Sequence, residues 1–274
     1  MQLNLQADQP IGIFDSGIGG LTVANAVISQ LPNEKIIYFG DTAHLPYGDK
    51  SAEAIRNYSE KIADFLLARN CKLIVIACNT ASAAAYDSLK IHLADRALLL
   101  NVIDPVVEHV AAEKDLHKIG IIGTKGTINS RVYETKLHAR RPEIETVALA
   151  TALLASMIEA GFYNNNVSQA IINSYLSYPD FQDIEGLILA CTHYPLIKKE
   201  VEFFYHNRIR VFDSTDIMAA SVKKILGENN LLNKDHPTQP EFFVSDFTPS
   251  FEQTTKVFFG GKTIHLEQYP LWEK

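Results

Sequence analysis

The chain has 274 residues, more than one hydrophobic core usually serves, so two α/β domains are expected in preference to a single large one. Hydrophobic residues at 47% and charged residues at 21% are ordinary globular values, and no low-complexity tract interrupts them. Acidic residues outnumber basic ones, 32 to 25, for a net charge of −7, and no Lys/Arg cluster offers a footprint for a phosphate backbone, so nucleic acid is excluded as an expected partner.

The N-terminal MQLNLQADQP lacks a positive segment followed by an apolar one, so no signal peptide is read there. No apolar run approaches the roughly 20 residues of a membrane span. A cytoplasmic protein is expected, with its three cysteines as thiols. From there the chain alternates short apolar runs with amphipathic segments. Strands are predicted at 10–14, 35–39, 72–77, 98–103, 118–122, 144–149, 186–190 and 209–212. Helices are predicted at about 21–31, 51–69, 80–95, 105–114, 127–139, 151–160, 165–177, 195–206 and 214–227. Continuous apolar runs such as Leu73-Ile74-Val75-Ile76 and Leu187-Ile188-Leu189 predict parallel strands buried on both faces. The tail after about residue 228 is polar and turn-rich, then ends in an apolar stretch expected to pack on the first half.

Two echoes organise this pattern. IGIFDSGIGG from Ile11 matches IGIIGTKGTI from Ile119, an offset of 108, with Ser16 and Thr124 at equivalent places; KLIVIACNT and EGLILACTH place Cys78 and Cys191 at an offset of 113. Two echoes in one order at nearly one offset predict duplicated halves, each supplying a glycine turn and a thiol. The fold class expected is therefore α/β, with two pseudosymmetric domains of mainly parallel sheet flanked by helices and an active site in the cleft between them. The division expected is 1–100 with 208–274, and 101–207.

Ligands of open parallel sheets bind beyond the carboxyl ends of the strands, where both turns and both thiols fall. A cysteine at a helix N-terminus has its thiolate favoured by unpaired N–H groups and the helix dipole, so pKa values below about 8.5 are expected for Cys78 and Cys191. The N–H groups and hydroxyls around Ser16, Thr80 and Thr192 suit a carboxylate. Two thiols on opposite faces of one carbon would let one remove a proton while the other supplies one, and such a reaction needs no cofactor. Neither glycine turn has the form of a dinucleotide or nucleotide loop.

Taken in order, GIFDSGIGGLTV, YFGDTAHLPYG, IACNTASA, GIIGTKGTI, ACTHYPLI and VFDST closely resemble the successive signatures of the bacterial glutamate racemases, from residue 11 to 215. The resemblance implies cofactor-free interconversion of L- and D-glutamate, the latter entering peptidoglycan, and a homodimer. It makes Cys78 and Cys191 the two bases, with Asp15, His193 and Glu159 assisting them. Substrate contacts implied are Asp15, Ser16, Tyr47, Gly48, Asn79, Thr80, Thr124, Thr127, Thr192 and His193. Ahead of Glu159, Ala150 and Thr151 stand where the family usually has Cys-Pro. The residues before Ile11 are too few for the N-terminal extension through which some relatives respond to a cell-wall precursor, and no such activation is expected.

Plainer readings compete at each position. Cys71 reads as core filling. Cys78, Cys191, His193 and His44 could hold zinc, but without CxxC-type spacing no metal is expected. A disulfide between the paired thiols is disfavoured by compartment. Asp15-Ser16 could cap a helix, and Tyr47-Gly48 could be a simple turn after Pro46. The rival functions are racemisation of aspartate or another acidic substrate, glutamate binding without turnover, and thiol-disulfide exchange.

Overall fold

Alternate side chains of the apolar run at 73–76 point into different cores. Leu73 and Val75 join one buried cluster, Ile74 and Ile76 another, as a strand covered by helices on both faces requires. In the computed structural model, which describes residues 5–235, 239–247 and 249–273, this segment is β3 of a six-stranded sheet. Residues 1–4 of the N-terminal stretch and 236–238 of the polar tail lie outside the described residues.

The chain runs β1 (Ile11–Asp15), α1 (Leu21–Gln30), β2 (Ile36–Gly40), α2 (Ala52–Leu67), β3 (Leu73–Ile76), α3 (Asn79–Leu93), β4 (Leu98–Asn101) and α4 (Ile103–Ala112). It continues through β5 (Lys118–Gly123), α5 (Lys125–Asn129), α6 (Val132–Arg140), β6 (Glu145–Ala150), α7 (Leu154–Glu159), α8 (Asn166–Leu176), β7 (Gly186–Ala190), α9 (Lys198–Phe204) and β8 (Arg210–Phe212). It ends with α10 (Thr215–Glu228), β9 (Glu241–Val244), α11 (Pro249–Phe258) and β10 (Glu267–Gln268).

The first sheet has the order β10-β9-β2-β1-β3-β4 and the second β6-β5-β7-β8, every pairing parallel. Stripped of β9 and β10, the two orders are the same, with β1 and β5 at the centre, β2 and β6 on one side, and β3 and β7 on the other. The chain therefore reverses direction across the sheet at β1 and again at β5. Such switch points open a crevice at the strands' carboxyl ends, where both glycine turns lie.

All eight predicted strands form. Strand β8 pairs with β7, Gly186 opposite Arg210, so the second sheet extends to residue 212, past the boundary at 207 expected from the sequence. The helix expected over 127–139 is two, broken where Arg131 takes a left-handed φ of 54°. The helix expected over 195–206 begins as a 3-10 turn at Tyr194–Ile197, with Pro195 in its first turn, before α9. The tail returns to the first sheet by adding β9 against β2 and β10 against β9. Lys72, fully buried, anchors the same end: its Nζ bonds Glu34 at 2.6 Å and the Leu231 carbonyl at 2.8 Å. Among the described residues no helix is long and apolar enough to cross a membrane.

Candidate active site

Both sheets present their carboxyl ends to one cavity of about 230 Å³. It is smaller than the roughly 300 Å³ at which pockets for drug-sized ligands begin, so a small ligand fits it. Its wall holds Ser16 after β1, Tyr47 and Gly48 after β2, Cys78, Asn79 and Thr80 after β3, Thr124 after β5, Glu159 at the end of α7, and Cys191, Thr192 and His193 after β7. Eleven of the thirteen residues singled out in the sequence are these. The other two stand just behind the wall: Asp15 is wholly buried and Thr127 nearly so.

Cys78 caps α3. Its Sγ accepts from the Ala81 N–H at 3.4 Å and donates to Ser16 Oγ at 3.7 Å. The expectation of a lowered pKa is nevertheless wrong here. Burial, reinforced by the nearby Asp15 carboxylate, pushes the thiol up to about 12 against the pull of the Ala81 N–H and Ser16. One cap hydrogen bond cannot replace the water a thiolate would lose.

Cys191 differs more than the internal repeat suggests. The chain behind it forms a turn and then the 3-10 helix Tyr194–Ile197, so the helix-terminus position expected for it is not realised. An imidazole stands in instead. His193 Nδ1 lies 3.6 Å from Cys191 Sγ, and its Nε2 lies 2.7 Å from Glu159 Oε1. Burial alone would lower the imidazole pKa, but the Cys191 sulfur and then Glu159 outweigh it and raise it well above the ordinary value. His193 is thereby pushed toward its protonated form, and its Nδ1 lies where a thiolate at Cys191 would find a counter-charge. The Cys-Pro departure leaves Glu159 in reach: Thr151 Oγ1 bonds the Gly123 carbonyl at 3.2 Å and Tyr194 Oη at 2.7 Å, tying the start of the loop that leads into α7.

Asp15 works from behind. Its Oδ2 accepts from the Gly17 and Gly20 N–H groups at 3.2 and 3.0 Å, and its Oδ1 from Thr192 Oγ1 at 3.4 Å. Burial raises its carboxyl above the usual range, opposed chiefly by His193. It thus braces the turns that carry Ser16 and Thr192. Thr22 adds a second brace between the halves, donating to the Thr192 carbonyl at 3.1 Å.

The Thr80, Thr124 and Thr127 hydroxyls lie within 2.8 to 3.3 Å of one another, a donor-rich patch drawn from both halves. Asn79 Oδ1 accepts from Tyr133 Oη at 2.7 Å, which orients the amide so that its buried Nδ2 has no protein partner. A buried unpaired donor in a cavity wall suits an anionic ligand. The Tyr47 hydroxyl is already engaged, donating to Asp41 Oδ2 at 2.8 Å.

Sequence reasoning gave no role in the site to Tyr133, to Asp41, or to Lys125 and Thr151, which also line the cavity. Lys125 and Asp41 lay inside quoted motifs and Thr151 at the Cys-Pro departure, whereas Tyr133 carried no local signal. The three cysteines are free, and Cys71 packs in the core as expected. Among the described residues no group of three or more His, Cys, Asp or Glu is arranged to hold a metal. His44 faces Asp41.

The difference in surroundings between the two thiols is testable with iodoacetamide and mass-spectrometric site assignment. Near neutral pH, Cys191 is expected to be alkylated well before Cys78. The Cys78 rate should climb with pH until about 12, because the reactive thiolate appears only as that thiol titrates. Equal rates at neutral pH would refute the asymmetry.

The family model for Asp/Glu/hydantoin racemases matches residues 20–222 of the chain. A glutamate racemase of Geobacter metallireducens is 41% identical over 265 residues, 95% of this chain and 96% of that one. One of Chlorobaculum parvum is 37% identical over 267 residues, 97% of this chain and 98% of that one. The crystal structure of glutamate racemase from Francisella tularensis in complex with D-glutamate superposes with a TM-score of 0.90 at 37% identity, covering 97% of this chain and 99% of that one.

Proposed function

The chain belongs to the Asp/Glu/hydantoin racemase family, and on that premise we propose that it is an isomerase that interconverts L- and D-glutamate by two-base catalysis at Cys78 and Cys191. One observation carries the mechanism: the two thiols line a single small cavity from equivalent strand ends of the two halves, one beside an imidazole tied to Glu159 and one held as a neutral thiol.

The resemblance to the glutamate racemases implies that Cys191 serves as the base for L-glutamate and Cys78 for D-glutamate. The Cys191 thiolate takes the α-proton, breaking C–H and forming S–H, while the Cys78 thiol delivers its proton to the other face. The D-isomer leaves with the sulfur protonation states exchanged, and the reverse direction runs from there. Asn79 Nδ2, the three threonine hydroxyls and the turn N–H groups supply donors for the two carboxylates. His193 and Glu159 balance the charge at Cys191, and Asp15 braces the turns. Because the two thiols account for both proton transfers, the reaction needs no cofactor.

The same reading gives a cytoplasmic enzyme that supplies D-glutamate for peptidoglycan, active as a homodimer. It also assigns one unit to 1–100 with the chain from about residue 213 onward, and the other to the segment between, the expected boundary at 207 being moved past β8. The test is the purified protein with each enantiomer of glutamate and of aspartate, followed by chiral chromatography. Racemisation of glutamate at a kcat/KM well above that for aspartate is expected. A preference for aspartate would favour the rival substrate, and binding of glutamate without α-hydrogen exchange in heavy water would make the protein a binding module.

A further inference from the structure

Asp41 is a carboxylate with no exposed surface, and four side-chain donors hold it. Its Oδ2 accepts from Tyr47 Oη at 2.8 Å and His44 Nδ1 at 2.9 Å, and its Oδ1 from Ser245 Oγ and from Trp272 Nε1, each at 2.8 Å. These donors fill the lone-pair sites of a carboxylate, and a buried anion left short of any of them is costly. The four come from two distant parts of the chain. His44 and Tyr47 lie in the segment between β2 and α2, which forms one wall of the cavity. Ser245 and Trp272 lie in the C-terminal tail, two hundred residues onward.

The tail closes over this segment with further contacts. Ser245 Oγ also accepts from the Ala43 N–H at 2.9 Å, and the Asp246 N–H donates to Thr42 Oγ1 at 2.9 Å. Trp272 stands edge-on to His44, ring centroids 4.5 Å apart, while His44 stacks on Tyr58 at 4.0 Å. The Tyr47 ring is thus fixed by a hydroxyl bonded to a carboxylate whose other oxygen is gripped by the tail.

We propose that Trp272 and Ser245, acting through Asp41, make the C-terminal tail a strap that sets the position of the Tyr47–Gly48 wall, so that Trp272 is a positioning residue for substrate binding although it does not line the cavity. The proposal rests on the glutamate racemase reading for its assay only. It separates binding from chemistry, because the thiols are carried by β3 and β7 whereas the strap holds the segment that follows β2.

Trp272→Phe keeps the aromatic packing and removes the N–H. It is expected to raise KM for glutamate about tenfold, as loss of a hydrogen bond to a buried carboxylate should, with kcat within about twofold of the parent. Ser245→Ala, at the other tail contact, should move KM in the same direction. Tyr47→Phe should raise KM too, and Trp272→Phe in that background should add nothing, because the two act through one carboxylate. The strap is refuted if Trp272→Phe and Ser245→Ala both leave KM unchanged, if kcat falls in place of the rise in KM, or if the Trp272 and Tyr47 effects multiply. An inactive parent protein would instead overturn the racemase reading itself.

Discussion

Replacing Cys191 with Ala is expected to lower the rate of glutamate racemisation on the order of 10³-fold, and Cys78→Ala should do the same, since each removes one of two proton-transfer groups that must act on opposite faces of one carbon. The variants should differ in what they keep. With Cys78 gone, the Cys191–His193–Glu159 array is intact, and it should still exchange the α-hydrogen of L-glutamate in heavy water without inverting it. With Cys191 gone, the surviving base is a thiol that burial holds at about 12, so exchange of D-glutamate should be much slower. Proton NMR of each enantiomer with each variant measures this directly. Near-normal racemisation by either variant would end the two-thiol assignment, and equal residual exchange would remove the asymmetry between them.

That asymmetry was hidden in the sequence, where ACNT and ACTH look like equals. Their offset from one another and their place after apolar runs were legible because strand periodicity and repetition are local properties. The order β2-β1-β3-β4 repeated as β6-β5-β7-β8 is the three-dimensional form of the same repetition. The backbone on the C-terminal side of each thiol was not legible. Asn79 continues as the helix α3, whereas Pro195 and the 3-10 turn replace a helix after Cys191. Burial of Cys78 likewise depends on packing that no motif encodes.

Other misses have the same origin. Strand β9, Glu-Phe-Phe-Val, is short and comes after a polar turn-rich stretch, and it is a strand because β2 offers an edge to it. Asp41 sits inside a recognisable motif, but its partners Ser245 and Trp272 lie some two hundred residues away. Glu159 could be placed from the family resemblance, and its contact with His193 spans 34 positions that only the fold brings together.

A single methyl group on Gly19 should disable the site almost as fully as loss of an assisting residue. A Cβ built there would lie 2.5 Å from His193 Nδ1 and Cε1 and 2.5 Å from Thr192 Oγ1, closer than real Cβ atoms come to anything. Neither neighbour can give way freely. The imidazole is held between Cys191 and Glu159 and packs edge-on against Phe258, with ring centroids 5.1 Å apart, while Thr192 bonds Asp15. Gly19→Ala should therefore displace the imidazole from Cys191, and because a misplacement of about 1 Å can cost 10²-fold, kcat/KM is expected to fall by about that factor. Overpacking should add a stability loss of roughly 1–3 kcal/mol. Gly227→Ala is the matched control. Its Cβ would meet only Leu232 Cδ1, at an ordinary 3.6 Å, and in the last turns of α10 it should leave kcat/KM unchanged while stabilising the protein by up to about 1 kcal/mol. If Gly19→Ala matched its parent in kcat/KM and in the preference of iodoacetamide for Cys191, the close fit between the first glycine turn and the Cys191–His193 pair would have no role in catalysis.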